Sequence, residues 1–142
     1  MRYMEDNIED FDTGCALILA KLYSTFPVQQ YMRIDELSKP EDSDQDRQNR
    51  RLVVYGATFE FLRDEGFLRC GSSTGGPTNR AHSNVVLTSK GLAALKRTPK
   101  QLDPNAKSVG GMLVDFSREM TAHAAKAGIT EAMKAAIGGL FT

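Results

Sequence analysis

Residues 85–95 read VVLTSKGLAAL, and their hydrophobic period changes in the middle. Val85, Val86 and Leu87 form a short apolar run with two β-branched side chains, which suits a half-buried strand. Thr88 or Ser89 then offers a hydroxyl for an N-cap, and Leu92 and Leu95 fall three apart, as one face of a helix requires. A strand that turns directly into a short helix fits many folds, so its neighbours decide between them.

Upstream, Leu52, Tyr55, Phe59 and Leu62 are spaced 3, 4 and 3 apart, the stripe of a helix facing a core. This helix is expected over about 43–65, with Asp44 and Asp46 favouring its start and Gly66 in the left-handed position that follows a helix. Gly56 inside it costs about 1 kcal/mol relative to alanine, which points to close packing or a tolerated flaw. FLRC, Phe67 to Cys70, reads as a strand, and the fourteen residues Gly71 to Asn84 read as a long, turn-rich loop before the strand at 85. Nearer the start, Asp12 or Thr13 is suited to cap a helix with Ala16, Leu19, Leu22, Tyr23 and Phe26 on its apolar face, stopped by Pro27. YMRIDELSKP predicts an extended piece at Met32–Ile34, then a helical turn from Asp35 ended by Pro40.

The order is helix, short strand, short helix, long helix, and a two-stranded hairpin closed by a helix. It resembles the winged helix-turn-helix domain over about Asp12 to Pro99. FEFLRDEGFLRC looks like a recognition helix running into a wing, and VVLTSKGLAAL is similar to the wing strand and closing helix of the MarR and PadR types of regulator. The resemblance implies a mainly α fold with a small β-hairpin, to which the remaining residues add a C-terminal helical arm, and a partner in double-stranded DNA. The groove-facing candidates it implies are Arg47, Gln48, Asn49, Arg50, Arg51 and Val54; the wing candidates are Arg69, Arg80, His82 and, at the hairpin base, Lys90. Their chemistry agrees. Arginine can be bidentate to guanine, asparagine or glutamine to adenine, and any arginine can hold a phosphate.

Charge is zero over 142 residues, with 18 basic and 18 acidic side chains, but it is polarised. Residues 1–46 hold 4 basic and 11 acidic residues, a net −7; residues 47–100 hold 10 and 3, a net +7; the remainder is balanced, 4 and 4. A whole-chain sum conceals such a basic surface, although the two halves could also neutralise each other by packing. Glu41, Asp42, Asp44 and Asp46 lie close to where phosphates would pass and would repel them. An acidic edge beside a basic helix also suits a winged module that binds a protein partner.

The domains expected are an acidic N-terminal tail (1–11), the winged domain (12–99), a proline-containing linker (100–108) and a helical arm (109–142). The arm offers Met112, Phe116 and Met120 on one helix and Met133, Ile137 and Leu140, with Ile129, on a second. Gly128 is expected to close the first and Thr130 to cap the second. These faces either pack back on the winged domain or form a homodimer, as a regulator reading two half-sites requires. A membrane-surface helix is the third option and the weakest, because Lys134 is the only basic residue of the last segment.

No apolar run approaches ~18–20 residues, and the acidic start lacks the apolar core of a secretory signal. With only Cys15 and Cys70, and no CxxC, the expected compartment is the reducing cytoplasm. Catalysis is not expected. GSSTGGP lacks the GK[ST] ending of a phosphate loop, and Cys70 with His82 falls short of the four ligands usual for zinc. No cofactor or metal is expected. The reading is therefore a non-catalytic, DNA-binding transcriptional regulator, homodimeric and cytoplasmic, with a winged-helix protein adaptor as the alternative.

Overall fold

The computed structural model describes residues 2–37, 44–97, 107–122 and 127–141. Five helices dominate: α1 (Arg2–Thr25), α2 (Gln45–Asp64), α3 (Ser89–Lys96), α4 (Val109–Ala122) and α5 (Ala127–Leu140). Between them lie four short strands, β1 (Gln30–Arg33), β2 (Leu68–Arg69), β3 (Ser73–Thr74) and β4 (Ala81–Leu87), and a 3-10 turn at Ile34–Glu36. The protein is mainly helical with a small antiparallel sheet.

The switch in 85–95 is realised as its period predicts. β4 ends at Leu87, and the Thr88 hydroxyl caps α3 by accepting the Gly91 N–H at 3.0 Å. The same hydroxyl donates to the carbonyl of Gly66, where φ is +86°, so the end of α2 and the start of α3 are tied at one point. At the other end of α2, the Asp44 carboxylate accepts the N–H groups of Asp46 and Arg47 at 3.0 and 3.3 Å.

β4 is the centre of the sheet. The order is β1-β4-β2, with β3 also paired to β4, and every pair is antiparallel. Met32 lies opposite His82, and Leu68 opposite Leu87. A bulge interrupts the β1–β4 register, and Asn84 on β4 takes a φ of 53°.

Four expectations change. The segment expected as an acidic tail forms the first turns of α1, so Asp12 and Thr13 lie mid-helix and cap nothing. Burial raises the Asp12 carboxyl above its ordinary pKa, with the charge of Lys134 opposing. Second, α1 is not one-sided. Cys15, Ala16, Leu17, Ile18, Leu19 and Ala20 are all buried in sequence, as in a helix enclosed all round, and Phe26 falls beyond it, partly exposed. Third, the long loop is shorter than the sequence suggests. β3 and β4 take up 73–74 and 81–87, leaving 75–80 as the turn. In the arm, α5 already runs at Ala127, so Gly128 and Thr130 lie within it.

What encloses α1 is the arm. α1 packs most extensively against α4 and α2, then against α5 and β4. Leu113, Phe116, Met133, Ile137 and Leu140 join Ile18, Leu19, Leu22, Tyr55 and Phe59 in one hydrophobic core. Tyr23 lies over Gly110, where a Cβ would meet its ring at 2.7 Å, and its hydroxyl is 3.3 Å from that of Ser108. The segment 38–43, expected to end the short helix and to carry Glu41 and Asp42, and the linker at 98–106 lie outside the described residues.

Candidate nucleic-acid interface

α2 presents the basic residues expected to meet a groove, but not as one row. Arg50 is exposed, while Arg47, Gln48, Asn49, Arg51 and Val54 are half-buried. The Asn49 Oδ1 accepts from Gln45 Nε2 at 2.9 Å. Arg51 turns inward, with its Nε 3.7 Å from Asp10 Oδ1 on α1, so this guanidinium is committed to the acidic half of the chain. The neutralisation between halves foreseen from the sequence operates at this residue. Gln48 also turns inward, and its Oε1 is buried without a hydrogen-bond partner.

The hairpin residues divide as well. Arg69 is exposed on β2, opposite Val86. Arg80 is half-buried at the start of the return strand, where its carbonyl accepts the Ile34 N–H at 2.9 Å. Beside it the turn folds towards α2: the Pro77 carbonyl lies 3.9 Å from where a Cβ on Gly56 would stand. Hairpin and helix therefore share one surface near the middle of α2.

His82 is not a phosphate ligand. It is only 1% exposed, and its ring stacks on Phe59 with centroids 3.7 Å apart and planes 7° from parallel. Nδ1 is hydrogen-bonded to the Ser73 hydroxyl at 2.7 Å, and Nε2 is buried without a partner. A second proton would have no acceptor. Burial first, and the nearby charges of Arg63 and Arg80 second, pull its pKa down to about 4 despite Glu60. The ring is neutral at pH 7, and its work is to fasten β4 to α2.

Lys90 is also elsewhere. Its Nζ donates to the Glu65 carbonyl at 2.7 Å and sits 4.7 Å from the centroid of the Phe67 ring. It closes the C-terminal end of α2, where a cation suits the helix dipole. At 1.5 Å per residue that end is about 27 Å from Arg47, too far for one contiguous patch.

The six residues expected to meet a second copy are covered by their own chain. Phe116, Met133, Ile137 and Leu140 are buried, and Met112 and Met120 are partly buried against the same core. The arm packs back because α1 is apolar on the side that α2 and the sheet leave open. Exposed apolar side chains lie instead on and around α2, where Val53 and Phe61 are 46% and 40% exposed and Ile8 on α1 is 63% exposed, and separately after α1 and on β1, at Phe26, Val28 and Tyr31. Phe61 meets Phe11 and Phe141 at centroid distances of 5.4 Å, both edge-on, and Phe141 meets Phe67 at the same distance. The sequence signal for this surface was two apolar residues, Val53 and Phe61, standing off the core stripe of α2.

Among the described residues no three His, Cys, Asp or Glu side chains gather so as to hold a metal ion, and no helix is long and apolar enough to cross a membrane. Cys15 is buried, which raises its thiol pKa and suppresses the thiolate. Comparison with protein-family models, curated proteins and solved structures finds no match to this chain. The geometry alone therefore carries the functional reading.

Proposed function

We propose that this protein is a winged-helix transcriptional regulator that binds duplex DNA without catalysis. In this reading the N-terminal half of α2 enters a major groove, and the 75–80 turn holds the flanking backbone. The observation that carries it is connectivity. Helix, edge strand, turn and long helix lead into a hairpin whose return strand lies between the first strand and the outgoing arm, in the order β1-β4-β2. The linear order of these elements is the one on which the winged helix-turn-helix resemblance rests. Arg50, with Asn49 and Arg47 on either side, supplies the side-chain chemistry for guanine, adenine or phosphate. Arg51 is left out because it pairs with Asp10, and His82 because it is neutral and buried.

The test is fluorescence anisotropy with a random-sequence duplex at several salt concentrations, on wild type and on an Arg47→Ala/Arg50→Ala variant. Binding that weakens with salt is expected, with a slope about 0.9 smaller for each phosphate contact the variant loses. Absence of binding at low salt would sink this reading.

The exposed Val53, Phe61 and Ile8 favour a second reading, a winged module that binds protein through the α1–α2 face. It gains if duplex is ignored at low salt.

A further inference from the structure

The exposed face of α2 has the same outline read in either direction. Arg50, Val53, Ala57, Phe61 and Asp64 are all exposed and follow one another at spacings of 3, 4, 4 and 3, a single stripe along the helix. Ala57 is the midpoint. Val53 and Phe61 stand four residues to either side, and a guanidinium and a carboxylate close the ends at seven.

We propose that the protein forms a twofold homodimer in which α2 pairs antiparallel with α2 of a second copy, about an axis through Ala57. Under that symmetry Val53 meets Phe61 of the second copy, and Arg50 meets Asp64 of the second copy, twice over. The alanine on the axis lets the helices approach to the roughly 8–10 Å of packed pairs. Charge complementarity selects this occupant. A parallel pairing would set Arg50 on Arg50 and Asp64 on Asp64, whereas the antiparallel one brings opposite charges together at both ends with a single kind of chain. Among the described residues Asp64 is paired with its neighbour Arg63, at 3.2 Å, and its side chain is 69% exposed, so a contact across the axis is open to it. Phe11 and Phe141 against Phe61, with Ile8 one turn from Phe11, widen the apolar ground beside the stripe.

This dimer stands apart from the DNA reading and competes with it for one face, because a helix covered by its twin cannot enter a groove. Its test therefore contains no DNA. Sedimentation velocity on the full chain, over a wide concentration range, is run on wild type, Arg50→Asp, Asp64→Arg and the double variant. Wild type is expected to pass from monomer to dimer. Each single reversal creates two like-charge contacts and is expected to weaken the dimer at least about tenfold. The double variant restores the pairing with its signs exchanged, to within about threefold of wild type. Ala57→Arg sets two like charges on the axis and is expected to stay monomeric at every concentration, with unchanged helical circular dichroism. Should that variant misfold, the charge pair decides alone. A wild type that is monomeric throughout overturns the proposal, as does a dimer indifferent to the single reversals or one that the double reversal fails to restore.

Discussion

The two halves of α2 are held in opposite ways. Residues 45–53 are exposed or half-buried and are ordered mostly by polar contacts: Asp44 caps the first turn, Gln45 reaches Asn49, and Arg51 turns in to Asp10. Residues 55–62 are built into the core, with Tyr55, Thr58, Phe59 and Leu62 buried. The end beyond them is closed by Gly66, by the Phe67 N–H on the Leu62 carbonyl at 2.9 Å, and by Lys90 on Glu65. The contrast teaches how a short chain divides labour along one helix. The anchored half fixes the axis, so the other half can present side chains whose loss the core does not feel.

The sharpest way to break that contrast is in the anchored half. Phe59 is fully buried and carries the stacked His82 ring. Phe59→Ala removes a core aromatic and the surface on which β4 rests, and is expected to cost about 3–5 kcal/mol in urea unfolding. Arg50→Ala, nine residues earlier and exposed, is expected to stay within about 0.5 kcal/mol of wild type. Comparable costs at the two positions would show that the halves are not separately held.

Acid should act on the same anchor with a smaller effect. His82 has a folded pKa of about 4 against an ordinary 6.5, so the fold holds the neutral ring. Between these values the unfolded chain binds a proton that the native chain refuses, so stability falls as pH falls. The His82 contribution is whole above pH 6.5 and is lost on the way down to 4. His82→Phe keeps the stacking and removes the titration, so its unfolding free energy is expected to vary less over that range than that of wild type. Parallel pH curves for the two proteins would contradict this account.

Much of this architecture is legible in the residues because its signals are local. Thr88 as a cap, Gly66 as a stop, and the Leu52-Tyr55-Phe59-Leu62 stripe each require only their own few neighbours. What escapes is whatever depends on a distant partner. His82 lies in a polar-looking run, Arg80 to Asn84, and is buried because Phe59 and Ser73 receive it. Arg51 is indistinguishable from Arg50 by sequence and is set apart only by Asp10, forty-one positions away. The start of α1 escapes for a different reason: an acidic helical segment has no apolar period to betray it. The exposed stripe about Ala57 is visible in the letters, but only once burial shows which face of α2 is spent on the core.

The polar half of α2 depends on its cap. Asp44→Ala leaves two N–H groups of the first turn without their acceptor and is expected to cost about 1 kcal/mol. That is far less than the loss at Phe59, because the fault lies at the end the core does not hold. Hydrogen exchange should show it as faster opening confined to the first turns of α2.

Gly56 lies near the start of the anchored half, and replacing it gives the smallest effect, opposite in sign. Glycine within a helix costs about 1 kcal/mol relative to alanine, and such a residue persists where a side chain has no room. Here there is room. A Cβ at Gly56 would stand 3.9 Å from the Pro77 carbonyl oxygen, an ordinary contact, whereas one at Gly91 would fall on the Phe67 carbonyl oxygen. Gly56→Ala is therefore expected to stabilise the protein by roughly 0.4–1 kcal/mol, raising the urea midpoint at unchanged slope, and Gly91→Ala to destabilise it. If Gly56→Ala destabilises instead, the hairpin turn presses on α2 more closely than 3.9 Å. This glycine would then be the seat of the hairpin turn, and the exposed half would be held by the hairpin as well as by its cap.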